Sequence, residues 1–330
     1  MKKVISLLLV VACLWSQEEV HKSPEQIAQE LQAAEDQFNK AKKMINPYYQ
    51  GPLLTPGAGM TAPGTGGVQT YVFVNDNYAA FNKDRHSVGF TSSQVNFNPA
   101  VYISTGITKT MDGVVVIQGD ENWQFGRSGG GFADMFASVG WPIYVQSVYV
   151  PAFKFNVGVV FPTGKYQHLD KHLLNSTGGG CYQVQFSLGT EKLILWTTQH
   201  PVNLRWFFGY TVPTNVHVSG YNSYGGGKGT KGVVRLGNIF ATDLGIEISL
   251  TKRWVFCTDF VYKATNRTTF HGTTTNPVGG GFSDNLSIAP GFEYTWSPNL
   301  GFLAGAWFSV YGRNSANFAS AILSLSYAFP

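Results

Sequence analysis

The sequence predicts an all-β fold, an antiparallel transmembrane β-barrel of about twelve strands, and three observations lead there. From about residue 69 onward the apolar residues recur with a period of two, segment after segment. Each alternating segment is longer than ten residues, whereas a soluble strand averages roughly 5–6 and a tilted barrel strand needs about 9–11 to cross hydrocarbon. The connections alternate between short turns and long, polar, glycine-rich loops, the asymmetry expected of a barrel with short inner turns and longer outer loops.

Composition narrows the class. The chain has 330 residues, 44% hydrophobic and 15% aromatic, with only 13% charged. Soluble domains carry roughly 25% charged residues, so this chain has about half that. Mean hydropathy is nevertheless −0.04, and no apolar run reaches the roughly 18 residues that a spanning helix needs. Abundant aromatics and a small net charge of +4 argue against disorder. Three cysteines in 330 residues exclude a disulfide scaffold; Cys181 and Cys257 fall on different strands and are expected to be unpaired.

Residues 1–16, MKKVISLLLVVACLWS, read as a signal peptide with a basic start at Lys2 and Lys3 and an apolar stretch from Val4 to Ala12. Val10-Val11-Ala12-Cys13 resembles a lipoprotein box, which makes Cys13 a lipidation candidate; cleavage after Ser16 is the alternative. Residues 17–46 contain a helix over 23–45. Ser23-Pro24-Glu25-Gln26 is a capping box with proline at the first helical position. Ile27, Leu31, Ala34, Phe38, Ala41 and Ile45 form an apolar seam under three heptads long, which fits either an amphipathic helix packed on its own protein or a periplasmic oligomerisation helix or plug. Asn46-Pro47 stops it. Residues 47–68 are rich in Pro and Gly and read as a linker.

The barrel occupies 69–330, with strands expected at 69–82, 95–108, 113–125, 131–141, 147–161, 180–195, 201–212, 233–250, 254–264, 284–296, 300–311 and 316–329. Ten to fourteen strands fit the same pattern. In 243–250, Leu244, Ile246, Ile248 and Leu250 oppose Asp243, Gly245, Glu247 and Ser249. Short turns are expected at 109–112, 142–146, 199–201, 251–253 and 297–299, and long loops near 83–94, 163–178, 213–232 and 265–283. An even strand number puts both termini and the helix in the periplasm. Leu323, Leu325, Tyr327 and Phe329 on the last strand resemble the terminal signal read by the outer-membrane assembly machinery, although Pro330 follows the final Phe.

Residues 47–330 hold 17 basic and 13 acidic side chains. A charge facing lipid at mid-depth costs roughly 2–4 kcal/mol for Arg or Lys, so charges within strands are assigned to the inner face. Asp134, Lys154, Arg205, Arg235, Asp243, Glu247, Asp259, Lys263 and Glu293 are the pore-lining candidates. Their mixed signs predict no strong ion selectivity. Trp141, Trp206, Trp254, Tyr294, Trp296, Tyr327 and Phe329 lie near strand ends, where interfacial girdles form. Basic residues do not cluster into a nucleic-acid stripe. Gly225–Thr230 lacks the order of a phosphate loop, His168 and His172 lie in a loop and not on a metal-binding helix face, and no nucleophile elbow occurs. No catalytic residue, metal or cofactor is expected.

Gly131-Phe132-Ala133-Asp134 at a strand start and Phe161-Pro162-Thr163-Gly164-Lys165-Tyr166 at a strand end resemble motifs of the MetA-pathway phenol-degradation family of outer-membrane barrels. The rhythm of 249–254, 287–292 and 296–300 is also similar, and Phe161 stands where the family usually has Leu. The resemblance spans about 69–330 and implies a porin-like channel for small hydrophobic or aromatic compounds, with no substrate residues to carry over. The expectation is passive passage of small solutes across the bacterial outer membrane, with lipid around the barrel; the alternative is a structural or adhesive barrel with a closed lumen. Oligomeric state is left open.

Overall fold

A computed structural model describes residues 23–44 and 51–329. The signal peptide, Cys13 and the Asn46-Pro47 stop lie outside the described residues. Helix α1 (Pro24–Met44) opens with the capping box: the Gln26 amide donates to Ser23 Oγ at 3.2 Å, and the Ser23 amide donates to Gln26 Oε1 at 3.1 Å.

Sixteen strands follow: β1 (Gly66–Phe81), β2 (Ser87–Thr108), β3 (Met111–Gln124), β4 (Arg127–Phe132), β5 (Met135–Tyr144), β6 (Ala152–Phe161), β7 (Gln183–Ile194), β8 (Val202–Pro213), β9 (Val216–Ser219), β10 (Lys231–Arg235), β11 (Ile239–Ser249), β12 (Trp254–Thr265), β13 (Thr269–Thr273), β14 (Ser283–Ser297), β15 (Leu300–Arg313) and β16 (Ser315–Phe329). Strand β1 pairs with both β2 and β16, and β2 with β3, so the sheet closes on itself. Strands β4 and β5 are the two halves of one wall strand, β3 pairing with each in turn. The result is a closed antiparallel barrel of twelve wall strands, with no free edge.

Register and exposure sort the two faces. Phe260, Phe292, Trp296, Leu323 and Leu325 point outward and stay exposed, Phe292 at 48% and Trp296 at 62%. Their strand neighbours Cys257, Asp259, Glu293 and Ser324 point inward and are buried. Tyr294 touches both Trp254 and Trp296, with ring centroids at 4.7 and 6.2 Å, and the three make part of an outward aromatic band at the end of the barrel where β1 begins and β16 ends. That near end carries the connections 109–110, 145–151, 195–201, 250–253 and 298–299.

At the far end the connections 162–182, 214–238 and 266–282 are long, but 82–86 is a tight turn, because β2 begins at Ser87 and not near residue 95. The run 87–94, SVGFTSSQ, reads as loop in isolation; in the barrel, residues 87–89 pair with 79–81 and Gln94 with Asn77, which satisfies their backbone. The strand expected at 233–250 is likewise two elements. Strand β11 is in the wall, whereas β10 leaves it and pairs with β9 and β13 in a separate three-stranded sheet. With loop 162–182 this sheet forms a cap with its own core of Cys181, Val216, Val218 and Val234. Both Cys181 and Cys257 are free and buried.

Candidate functional site

The segment between helix and barrel runs through the lumen. Residues 51–65 carry no charge and touch the inner face of strand after strand. Leu53 is 1% exposed and sits in a cluster with Tyr71, Ala100, Val116, Cys257, Ala289, Leu303 and Ile322, all inward wall positions. Two wall glycines make room for it. A Cβ on Gly291 would lie 2.9 Å from Leu53 Cδ1, and one on Gly305 would collide with the same methyl. The loss of a side chain at these wall positions is thus what lets the plug approach the backbone.

Other contacts of the plug with the wall are polar. Asp259 Oδ1 accepts the Thr55 amide at 3.0 Å and the Thr55 hydroxyl at 2.6 Å, while Oδ2 accepts the Leu54 amide at 3.3 Å. Glu191 Oε2 accepts the Ala58 amide at 3.1 Å. Asp112 Oδ2 accepts the Thr61 amide at 3.0 Å, and Lys154 Nζ donates to Gly59 O at 3.2 Å and to Asp112 Oδ2 at 2.7 Å. Wall carboxylates therefore satisfy plug amides that would otherwise be buried without partners.

The pore-lining candidates separate into three groups. Lys154, Arg205, Asp243, Glu247, Asp259 and Glu293 are buried and face inward. Arg205 lies 2.9 Å from Glu247 Oε2 and 3.7 Å from Glu191 Oε1, and its guanidinium flanks Gly51 and Gly57 of the plug. Asn203 donates to Glu191 at 3.0 Å and to Glu247 at 2.7 Å. Desolvating such charges costs several kcal/mol per ion, which the ion pairs and the Asn203 hydrogen bonds offset. Lys263 also faces inward, opposite Ala241 and Asn285, but is exposed and forms no ion pair among the described residues.

Asp134 and Arg235 differ in kind. Asp134 lies between β4 and β5, where its Oδ1 accepts the Gly164 amide at 2.9 Å and its Oδ2 the Gly179 amide at 2.7 Å. The Thr163 hydroxyl donates to Ala133 O at 2.8 Å and accepts the Met135 amide at 3.0 Å. The two short motifs 131–134 and 161–166 thus form one clasp, which bridges the break in the wall strand and ties down loop 162–182. Arg235 is exposed on β10 in the cap and does not line the lumen; the period-two pattern continues through 233–250, and periodicity cannot show that the chain leaves the wall at 236–238.

Sequence reasoning missed Asp112, Glu191 and the plug. Glu191 was legible by parity, since it continues the inward face of Gln183, Gln185, Ser187 and Gly189. It also missed an inward aromatic strip. Tyr71 stacks on Phe73 at 5.5 Å and meets Tyr102 edge-on at 5.2 Å, with Phe136 and Trp307 packed on the same cluster.

Helix α1 rests on the near end. Phe38 is buried against Val148 and Leu193 and meets Trp196 edge-on at 5.7 Å. Ile27 and Leu31 of the same seam are 53% and 42% exposed.

No protein-family model and no curated protein matches this chain. Among solved structures, it is similar to the COG4313 outer membrane channel from Pseudomonas putida F1, with a TM-score of 0.67 at 10% identity, covering 84% of this chain and 100% of that one. Looser likenesses include the NanC porin, TM-score 0.42 at 7% identity over 79% of this chain and 98% of that one. The Pseudomonas putida toluene transporter TodX gives 0.40 at 10% identity over 81% and 90%. The first of these shows the fold: this chain has the barrel architecture of an outer-membrane channel protein.

Proposed function

We propose that the chain is a bacterial outer-membrane channel for passive passage of small solutes, and that apolar or aromatic molecules are the class its lumen suits. The observation that carries this reading is the place of Leu53. It occupies an inward strip of Tyr71, Val116, Leu303 and Ile322, flanked by Tyr102, Phe136 and Trp307, and it is joined to the wall by no backbone ladder. When the plug withdraws, that strip is left as an apolar track beside a charged wall. Such a track desolvates a small apolar molecule in stages. The outward apolar face and the aromatic band at the near end fit contact with acyl chains and their interface. On this reading the near end, with both barrel termini, faces the periplasm, and Leu323, Leu325, Tyr327 and Phe329 present the assembly signal. The similarity to an outer-membrane channel supports the location, and the clasp motifs at 131–134 and 161–166 keep the MetA-pathway family as the finer expectation.

Planar-bilayer recording tests the proposal. Folded protein is expected to give small ion-current steps that a phenol-sized aromatic alcohol reduces more than a monosaccharide of similar size. A barrel that inserts but never conducts would return the structural, closed-lumen reading, and equal block by both solutes would remove the apolar preference.

A further inference from the structure

The cap carries a feature the channel reading does not use. In its three-stranded sheet, Val216, Val218, Val234 and Phe270 face the cap core. The opposite face therefore carries His217, Val233 and His271 in one cross-strand row, with Lys231 and Arg235 one step to either side. Lys231, Arg235, His217 and His271 are all exposed, and none of the four takes part in an ion pair among the described residues. No acidic side chain lies on that sheet. The chain leading into β13 extends the surface to a hollow lined by Arg267, Thr268, Val278 and Gly279–Gly281. The bias holds for the whole far end, whose connections and abutting strand residues hold ten Lys and Arg against three Asp, one of the Asp being tied to Arg85 at 2.7 Å.

The lumen has the opposite sign. Asp112, Asp120, Glu191, Asp243, Glu247, Asp259 and Glu293 face inward against Lys154, Arg205 and Lys263. A solute carrying negative charge would be attracted to the cap and then repelled inside. The anion that suits the cap is one that stays there. We propose that the outer face of the cap sheet, centred on Lys231 and Arg235, docks the phosphate groups of a phosphorylated glycolipid headgroup in the outer leaflet. The inference rests on the outer-membrane reading, in which the long-loop end faces outward.

Titration calorimetry on the full folded chain in non-ionic detergent micelles tests it, with the bisphosphorylated glucosamine disaccharide of such a lipid, freed of its acyl chains, as probe. The wild-type chain is expected to bind it, more weakly as ionic strength rises, and not to bind the dephosphorylated disaccharide. One Lys or Arg near an anionic surface contributes about 1 kcal/mol, so Lys231→Gln with Arg235→Gln should weaken binding about thirtyfold. Ion current in glycolipid-free phosphatidylcholine bilayers should be unchanged. Equal binding by the double variant overturns the proposal, as does equal affinity for an oligogalacturonate, which would make the face a collector of carboxylate solutes. Lost conductance with intact phosphate binding would count against the channel reading and not against this one.

Discussion

Replacing Leu53 with Ala separates the plug from the barrel. Leu53 is 1% exposed, seated over Gly291 and Gly305 amid seven buried wall residues. Truncating a buried Leu to Ala costs about 2–5 kcal/mol, the spread reflecting how far the site can collapse. Here collapse is limited, because the closed ladder of the wall fixes the backbone on every side. Leu53 belongs to no strand pair, so the cost falls on docking of the plug and not on closure of the barrel. At about 1.4 kcal/mol per decade, the ratio of docked to released plug should drop between about thirtyfold and several thousandfold. The polar anchors at Thr55, Ala58 and Thr61 remain, so the segment loosens without being lost. Planar-bilayer recording should show larger or more frequent current steps in the variant, and limited proteolysis should find new cuts within 51–65. Mobility of the folded barrel on an unheated gel should not change. Unaltered current and protection, combined with a lower temperature of barrel unfolding, would refute the reasoning and make Leu53 an ordinary core residue of the wall.

The remaining predictions address other parts of the molecule. Phe260→Arg puts a cation on the outward face midway along β12, opposite Ile288, and should cost about 2–4 kcal/mol in urea unfolding from a lipid bilayer; a neutral result would deny that this face meets lipid. Asp259→Asn should weaken its bonds to Thr55, and a double-mutant cycle with Thr55→Ala should give a coupling of about 1.5–3 kcal/mol in plug docking, read as the change in open fraction; additive effects would disprove the contact. Asp134→Ala removes the acceptor of the Gly164 and Gly179 amides, so trypsin should cut faster after Lys165 and Lys171 while ion current through the lumen persists. Burial, followed by the nearby Asp134 charge, pushes the Cys181 thiol up, so at pH 8 it holds less thiolate than a free cysteine. Mass spectrometry should find slow alkylation in the folded chain and fast alkylation of both Cys181 and Cys257 after denaturation.

The architecture was legible in the amino-acid order because a membrane barrel writes its two faces into alternate positions. Phe153, Phe155, Val157 and Val159 against Lys154, Asn156 and Gly158 need no distant partner to be understood. Strand number, the short turns 109–110, 250–253 and 298–299 and most of the inward charges follow from that local rule, whereas the turns expected at 142–146 and 199–201 are the longer connections 145–151 and 195–201. What lines the lumen was legible only as parity. Parity sent Arg235 to the wall, since a chain that leaves a sheet for three residues and resumes the same period keeps its pattern.

The contents of the lumen belong to tertiary structure alone. Proline, glycine and two leucines at 51–65 have the composition of a linker, and nothing local tells solvated linker from buried plug. The difference arises more than a hundred residues away in sequence, where Asp259 and Glu191 offer oxygens to its amides and Gly291 and Gly305 leave space for a leucine. Periodicity records what each side chain faces, lipid or interior. Only closure of the ring decides which remote groups share that interior, because that is fixed by strand order and register and not by any neighbour in the chain.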